Sequence, residues 1–393
     1  MSSATLLSQR AIALKPSLTL AISARAKALQ EEGRDICSMS AGEPDFNTPD
    51  FIVEAAVKAL KDGITRYGPA AGDPELRDAI ADKLTRHNGI PSSAANVLVT
   101  NGGKQAIFNL FQVVLNPGEQ VLIPAPYWLS YPEMARLAGA EPVVVPSSAE
   151  QGFKLDLRAL EAAITPQTRL LVINTPSNPT GRVSDRDELE AVAAIVRRHP
   201  QLLVMSDEIY EYLLEEGETH HSFAAVAPDL ADRTFVVNGF AKGWAMTGWR
   251  LGYLAGSPDV IKAAAALQSQ STSNVCSFAQ RGALAALLGS HECVTTMAAS
   301  YNSRRRLLVE GLQAIDGLTL AVPRGAFYAF PQLPHHLSDS LSFCETALEQ
   351  EGLALVPGAA FGDDRCVRLS CAVSHETIKD GLCRMQRLLS SQG

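Results

Sequence analysis

The middle of the chain alternates short apolar runs with stretches of helical periodicity. The apolar runs are rich in β-branched residues, a pattern typical of buried strands, and they cover residues 96–100, 120–123, 169–173, 202–205 and 234–237. A helical pattern that begins near Gln105 separates the first two runs. This alternation predicts an α/β domain whose mostly parallel sheet is flanked by helices.

The pattern changes beyond about residue 290. A charged helix is predicted over residues 301–315, followed by a Gly-Ala-Phe-Tyr segment at 325–328, a helix over 341–351 and a strand over 365–370. These elements predict a second, smaller α+β domain. The N-terminal residues have no obvious core of their own, so we expect a large domain over 46–289 and a discontinuous small domain over 1–45 and 290–393.

Length and charge narrow the class of protein. A chain of 393 residues with 46% hydrophobic residues can fill two cores. Its 34 basic and 42 acidic residues give a net charge of −8 without a basic block, which argues against a nucleic-acid partner. No apolar run is long enough to cross a bilayer, so no membrane partner is expected. The first thirty residues lack acids, as in a transit peptide, but the resemblance given below places Lys15 in the working part of the protein.

The cysteines and histidines give no metal signature. Seven cysteines are scattered without a C-x-x-C pair, which favours reduced thiols and a cytoplasmic location. The tandem histidines at 220–221 and 335–336 are not at helical spacing beside a carboxylate, so we predict solvated loop residues and no metal site.

Lys242 carries the strongest chemical signal. Small residues flank it within the run at 238–253, and such a lysine amine can form a Schiff base with an aldehyde cofactor. About 35 residues upstream, an apolar strand ends at Asp207, whose carboxylate would keep a pyridine nitrogen protonated. Tyr210 and Asn178 could bond the phenolic oxygen of the same ring. Together these residues predict pyridoxal 5′-phosphate.

A phosphate site is predicted between the first strand and the helix that follows it. Gly102-Gly103-Lys104-Gln105 lies where free N–H groups at a helix start bind anions, although a plain turn is an equal alternative and the spacing is not that of a Walker A loop. Arg250, eight residues after Lys242, would pair with a phosphate dianion; the alternative is a surface salt bridge.

Two further side chains are candidates. Trp128 follows two prolines and would stack on the cofactor ring, or else belong to the core. Arg368 lies in an apolar strand, where it could bind a substrate carboxylate or face outward.

With these residues in hand, the chain resembles fold-type-I class I aminotransferases of the bacterial and plastid aspartate and aspartate/prephenate branch. The resemblance covers essentially the whole chain and rests on the motifs Lys15-Pro16-Ser17, Ala41-Gly42-Glu43-Pro44-Asp45-Phe46, Tyr67-Gly68-Pro69, Asn101-Gly102-Gly103-Lys104-Gln105, Pro126-Tyr127-Trp128, Pro176-Ser177-Asn178-Pro179-Thr180-Gly181, Ser206-Asp207-Glu208-Ile209-Tyr210 and the Lys242 run.

The resemblance implies a role for each position. Lys242 would be the Schiff-base lysine, Asp207 the pyridinium partner, and Asn178 and Tyr210 the phenolate partners. Trp128 would stack on the ring and contact substrate, and the phosphate would be held by Arg250 and the backbone of Gly103, Lys104 and Gln105. Gly42, Asn178 and Arg368 would bind the α-carboxylate, and Tyr67 would reach the phosphate of a second subunit in a homodimer with shared active sites. One position departs from the pattern: many relatives carry a phosphate-binding serine where this chain has Gly239.

The implied activity is a ping-pong transamination from L-aspartate to 2-oxoglutarate, in which Lys242 moves the proton from the substrate Cα to the cofactor. Lys104, with Lys15 as the other candidate, would bind the distal carboxylate, and Thr19 with Lys104 is compatible with prephenate as a substrate. The alternatives are an aminotransferase for another amino acid, a C–S lyase, or a non-catalytic ligand sensor.

Overall fold

The structure is a computed structural model that describes residues 6–14, 18–337 and 339–392. Its helices are α1 (Gln9–Ala13), α2 (Leu18–Glu31), α3 (Asp50–Lys61), α4 (Pro74–His87), α5 (Gly102–Val114), α6 (Ser130–Leu137), α7 (Leu157–Ala162), α8 (Arg186–Arg198), α9 (Phe223–Val226), α10 (Pro258–Ser271), α11 (Ser277–Leu288), α12 (Glu292–Gln313), α13 (Ser340–Glu351) and α14 (His375–Gln392). Its strands are β1 (Cys37–Ser38), β2 (Val97–Thr100), β3 (Gln120–Pro124), β4 (Glu141–Val145), β5 (Thr168–Asn174), β6 (Leu203–Asp207), β7 (Thr234–Gly239), β8 (Gly252–Ala255), β9 (Tyr328–Ala329), β10 (Leu353–Ala354), β11 (Val356–Pro357) and β12 (Val367–Ser370).

Seven strands form the central sheet, in the order β2-β8-β7-β6-β5-β3-β4. Neighbouring strands from β4 to β7 pair in parallel, and β8 runs antiparallel to both β2 and β7. The predicted α/β class with a mostly parallel, helix-flanked sheet is confirmed.

Both faces of this sheet are buried. Val121 and Leu170 pack with α5 residues such as Leu110 on one face, while Leu122 and Leu171 pack with α8 on the other. Because side chains alternate between two covered faces, the central residues of these strands are apolar at successive positions rather than at every second one. This is why the apolar runs in the sequence are continuous.

Two smaller sheets involve the ends of the chain. Strand β1 pairs in parallel with β10, and β12 pairs antiparallel with β9 and β11. Helix α12 begins at Glu292, earlier than the predicted 301, and β12 begins at Val367 rather than 365. The domain limits at 46–289 and 290–393 stay a prediction.

The parallel strands end together at one edge of the central sheet. Asn174 at the end of β5 pairs in register with Asp207 at the end of β6, and β7 ends beside them at Gly239. Polar residues that follow these strands are therefore brought to a common crevice, where ligands of α/β sheets bind. Across the residues that the structure describes, no helix is both long and apolar enough to cross a membrane.

Candidate active site

A cavity of about 700 Å³ opens at this edge of the sheet. Ten of the residues singled out in the sequence line it: Gly42, Gly103, Lys104, Trp128, Asn178, Asp207, Tyr210, Lys242, Arg250 and Arg368. Residues far apart in the chain, from the N-terminal segment to β12, thus share one site.

Lys242 lies in the turn after β7, and its amine projects into the cavity. Nζ donates a hydrogen bond to the carbonyl oxygen of Gly42 at 2.6 Å and lies 5.7 Å from the centre of the Tyr210 ring. Burial lowers the pKa of Lys242 to about 8, an effect that Glu43 opposes and the positive charge of Arg368 reinforces. A lysine with a lowered pKa is more readily neutral, which a nucleophilic amine requires.

Asp207 closes the floor of the cavity and is only 5% exposed. Its Oδ2 accepts a hydrogen bond from the Tyr131 hydroxyl at 2.6 Å, and Oδ1 accepts one from the Ile209 N–H at 3.3 Å. Burial raises the pKa of Asp207 to about 6, although both hydrogen bonds favour the ionised form. Sequence reasoning missed Tyr131. No pattern in the sequence pointed to Tyr131, which lies in the first turn of α6 and whose ring makes an edge contact with the Trp128 ring at 5.3 Å.

Tyr210 and Asn178 both line the cavity. The Tyr210 hydroxyl is 2.9 Å from the hydroxyl of Tyr328, a residue of the Gly-Ala-Phe-Tyr segment whose place in the site was not predicted. Asn178 Oδ1 accepts a hydrogen bond from Arg368 Nη1 at 3.0 Å. The amide nitrogen of Asn178 therefore remains as the donor toward a ligand.

Arg368 faces inward and is 2% exposed, which removes the outward-facing alternative. Its Nη2 donates to the carbonyl oxygen of Ser40 at 2.9 Å, and its guanidinium lies 4.5 Å from the centre of the Tyr328 ring. Arg368 Nε is buried without a hydrogen-bond partner among the described residues. A buried guanidinium with an unused donor is suited to a carboxylate ligand.

The start of α5 forms an anion cradle. Asn101 precedes the helix without capping it through its side chain, so the first N–H groups are not satisfied that way. Gly102 has a positive φ of 76°, and a Cβ there would lie 2.6 Å from Arg250 Nη2. Arg250 forms no ion pair with any described residue and donates to the carbonyl oxygen of Thr247 at 2.9 Å. Free N–H groups beside an unpaired guanidinium fit a phosphate.

The donor set fits pyridoxal phosphate, because it combines an amine, a buried carboxylate at a strand end, a phosphate cradle and an aromatic ring. The comparison with known proteins agrees, since residues 34–384 match the sequence model of the family described as aminotransferase class I and II. This chain belongs to that family. It is therefore a pyridoxal-phosphate-dependent aminotransferase.

Relatives of this aminotransferase are similar over nearly the whole chain. The bifunctional aspartate aminotransferase and glutamate/aspartate-prephenate aminotransferase of Petunia hybrida is 48% identical over 396 residues, covering 98% of this chain and 82% of the relative. The aspartate/prephenate aminotransferase of Thermus thermophilus is 47% identical over 386 residues, covering 98% of each. A solved structure of the Thermus thermophilus aspartate aminotransferase with maleate has a TM-score of 0.92 at 46% identity and covers 98% of this chain and 99% of that one.

Of the predicted site residues that the structure describes, Gln105 and Tyr67 do not line the cavity of the aminotransferase. The side chain of Gln105 instead accepts from the Asn101 N–H at 2.7 Å and donates to Thr272 Oγ1 at 2.8 Å. Tyr67 is 92% exposed on the surface. Lys15 lies outside the described residues, and so does the side chain of Thr19.

Gly239 has a packing reason for lacking a side chain. A Cβ at this position would lie 2.8 Å from Gly252 Cα and 2.8 Å from the Leu251 carbonyl oxygen. The antiparallel pairing of β7 with β8 brings these backbones together. A serine would not fit here without a shift, so a greater share of phosphate binding by Arg250 and the helix start stays a prediction.

Lys104 is exposed and lies over the Trp128 ring, with Nζ 5.0 Å from the ring centre. Partial desolvation by the cavity wall lowers the pKa of Lys104, and the charge of Arg250 acts in the same direction. This contact places a second cation along the cavity wall, beside the residue expected to stack on the cofactor.

One histidine prediction is wrong. His220 is not solvated: its side chain is 9% exposed, and Nε2 donates to Glu208 Oε2 at 3.1 Å. The other predicted pair, His335 and His336, is exposed. The sequence carried no spacing signal for His220, because its partner is twelve residues away across a loop.

Proposed function

We propose that this aminotransferase transfers the amino group of L-aspartate to 2-oxoglutarate, giving oxaloacetate and L-glutamate. The observation that carries the proposal is the pair of cations in one cavity: Arg368 is buried beside Asn178, and Lys104 lies over Trp128. Two cations suit a substrate with two carboxylates. The names of the Petunia and Thermus relatives are in line with this choice.

The bound cofactor supplies an aldehyde that bonds amino groups and a ring that accepts the electrons released at the substrate Cα. Lys242, with its lowered pKa, is assigned the proton transfer at Cα. Asp207 would hold the ring nitrogen in its protonated form, while Tyr210 and the free amide nitrogen of Asn178 would donate to the ring oxygen. The cradle of Arg250 and the start of α5 would hold the phosphate.

The substrate α-carboxylate is assigned to Arg368. Its guanidinium and the neighbouring Gly42 backbone line the same cavity as Lys242 and offer N–H donors there. Because every α-amino acid carries this carboxylate, Arg368 would serve all substrates equally. Discrimination among them must therefore come from another cation.

We assign discrimination to Lys104, and Lys104→Ser tests it. A charged hydrogen bond is worth about 1.5 to 3 kcal/mol, so the variant should lose roughly 10- to 150-fold of the aspartate-to-alanine ratio of kcat/KM. The measurement is the absorbance change of the cofactor-loaded enzyme in single turnovers with aspartate, glutamate and alanine.

Lys154→Ser is the matched control, because Lys154 is an exposed lysine that does not line the cavity. It should leave the ratio unchanged. An unchanged ratio in Lys104→Ser as well would remove Lys104 from substrate selection, and a wild-type enzyme that prefers alanine would remove the dicarboxylate assignment itself. Release of pyruvate and ammonia without an oxo-acid acceptor would instead indicate a lyase.

Prephenate is a second candidate substrate, favoured by the names of several relatives, among them the Cereibacter sphaeroides and Nitrosomonas europaea aspartate/prephenate aminotransferases. The same single-turnover assay decides the point when prephenate is added to the aminated form of the enzyme. Conversion at a rate similar to that with 2-oxoglutarate would support the production of arogenate, and no conversion would exclude it.

We also propose a homodimer with shared active sites. Val53, Val57 and Leu60 form an exposed apolar stripe on α3 at helical spacing, and such stripes are typical of subunit interfaces. Tyr67, a little further along the chain, is exposed and does not line this chain's cavity. In the dimer its hydroxyl would reach the phosphate in the neighbouring subunit, as the family resemblance implies.

A hybrid dimer tests this sharing. If each site combines Lys242 of one subunit with Tyr67 of the other, a Lys242→Ala subunit paired with a Tyr67→Phe subunit has one intact site and one doubly altered site. At limiting cofactor we expect the hybrid to show about half of the wild-type activity, because Tyr67→Phe alone loses a hydrogen bond to a charged group and binds cofactor about 10-fold more weakly.

The comparison is with the two parent homodimers at the same cofactor concentration. If Tyr67 acted within its own subunit, neither site of the hybrid would be intact, and activity would not exceed half of that of the Tyr67→Phe homodimer. A monomer in light scattering would contradict the dimer directly.

A cytoplasmic location is part of the proposal. All seven cysteines are free thiols, which suits a reducing compartment.

A further inference from the structure

Glu208 follows Asp207 directly in the chain, yet it points away from the cavity and is fully buried. Three side chains hydrogen-bond its carboxylate: Ser206 Oγ at 2.8 Å, Ser222 Oγ at 2.6 Å and His220 Nε2 at 3.1 Å. A buried carboxylate that accepts this many hydrogen bonds is held rigidly in position.

The loop over residues 208–222 begins and ends at this carboxylate. It first carries Tyr210 into the active site and then contacts the segment before Tyr328, where the Glu215 N–H donates to Arg324 O at 2.7 Å and the Ala326 N–H donates to Leu213 O at 2.7 Å. His220 and Ser222 bring the loop back to Glu208. They therefore hold together the two ends of a loop that contains Tyr210 and directly follows Asp207, two of the residues proposed to bind the cofactor.

Two carboxylates lie beside His220, and the nearby lysine does not balance both of their charges. His220 faces Glu208 and Glu211, and the groups of these three residues lie within 4.8 Å of one another. Lys83 forms a buried ion pair with Glu211, which also accepts from Asn88 and Asn238, each at 2.8 Å. Lys83 already occupies the place of a cation, so this cluster carries no metal proposal.

One lysine thus faces two buried carboxylates. The two serine donors to Glu208 are neutral, so among its described donors His220 is the one that can carry a compensating positive charge. Although burial favours neutral imidazole, the hydrogen bond and charge of Glu208 raise the pKa of His220, with Glu211 adding to the effect and Lys83 opposing it.

We propose that His220 is a positioning residue of the transamination, which acts through Glu208 on the neighbouring Asp207 and on Tyr210. The proposal rests on the cofactor-binding roles assigned above to these two residues. The hydrogen bond keeps the turn after β6 in place and reduces the effect of the Glu208 charge on Asp207. That charge raises the pKa of Asp207, so weaker compensation makes Asp207 harder to ionise.

The test is the pH dependence of cofactor binding to the apoenzyme, measured by equilibrium dialysis with pyridoxal phosphate. Asp207 must be ionised to pair with the protonated ring, so affinity falls as the pH drops through its pKa. Lys242, whose pKa is lowered to about 8, also bonds the cofactor only when neutral, so every variant is compared in a Lys242→Ala background, where this second contribution is removed. In His220→Leu we expect this acid limb to move to higher pH by about 0.5 to 1 unit, so the dissociation constant rises about 3- to 10-fold below the pKa of Asp207 and less near neutral pH.

His220→Gln separates the hydrogen bond from the charge, because a glutamine amide can donate to Glu208 without a positive charge. We expect the cofactor affinity of His220→Gln to be closer to that of the wild type than to that of His220→Leu. Ser222→Ala removes another donor from the same carboxylate with little change in volume and should shift the acid limb in the same direction. His221→Leu, a substitution of the adjacent histidine in the same loop, should leave the limb where it is.

Thermal unfolding of each apoenzyme provides the structural readout, and Asp207→Asn provides the reference for the site. A lower Tm in His220→Leu with an unmoved acid limb would overturn the positioning role. Normal cofactor affinity in Asp207→Asn would instead contradict the role proposed for Asp207 itself, and the inference would fall with it. If affinity is lost in Asp207→Asn but not in His220→Leu or Ser222→Ala, the positioning role of His220 is overturned while the role proposed for Asp207 stands.

Discussion

Replacement of Lys242 by alanine is expected to lower kcat by roughly 10²- to 10⁴-fold or more, the largest effect of any substitution considered for this chain. A positioned base alone accounts for that range, and this lysine is also expected to hold the cofactor covalently, so its loss removes two functions. Its Nζ lies in the cavity within 5.7 Å of the Tyr210 ring centre, and its pKa is lowered to about 8. Lys104, the other lysine among the described residues that line the cavity, lies over the Trp128 ring instead.

The measurement is the single-turnover rate with aspartate, together with borohydride reduction to test whether the cofactor is attached to the chain. Lys262→Ala is the matched control, since Lys262 is exposed on α10 and does not line the cavity. Wild-type turnover in Lys242→Ala, or borohydride attachment that persists without Lys242, would show that another amine carries the chemistry.

Arg368→Lys is expected to lower kcat/KM by roughly 10²- to 10⁴-fold for aspartate and alanine alike, because two charged hydrogen bonds to the α-carboxylate are each worth about 1.5 to 3 kcal/mol. A lysine keeps the charge but loses the planar fork of the guanidinium. It also cannot keep the present contacts to Asn178 Oδ1 and the Ser40 carbonyl oxygen while adding a bidentate contact to substrate.

Steady-state kinetics with both amino acids check this expectation, with thermal unfolding as a test of the fold. Arg365→Lys is a suitable control, because Arg365 is 45% exposed three residues earlier and pairs with Asp363 outside the cavity. A loss confined to aspartate would mean that Arg368 binds the distal carboxylate, and the assignments of Arg368 and Lys104 would have to be exchanged.

Much of the central sheet could be predicted because its strands are buried on both faces. β3, β5, β6 and β7 are continuous apolar runs, which leave a clear signal in the sequence. β4 at the sheet edge contains a glutamate and a proline, and β8 begins with Gly252 at the end of the run that contains Lys242, so the apolar pattern predicts neither. The first two turns of helix α12 bury only Val294 and Met297, which leaves a weak apolar signal, and for that reason its predicted start is too late.

The site residues divide in a similar way. Asp207, Lys242 and the Gly102–Gly103 turn follow strands, so the topology of a parallel sheet places them at one edge. Tyr131 and Tyr328 carry no such signal. Their places depend on how α6 and the segment before β9 pack against the sheet, and their partners Asp207 and Tyr210 are 76 and 118 residues away.

The sequence by itself determined the fold class and the cofactor, because local patterns of apolar residues and motif spacing record which groups follow which strands. The motifs that carry the family resemblance also indicated transamination. Only the tertiary structure decided how those groups are supported. It turned Arg368 inward onto Asn178, left Tyr67 exposed, and buried His220 against Glu208 rather than in solvent. The physical reason is that burial and hydrogen bonding between distant residues depend on the packing of the whole chain, which no local pattern records.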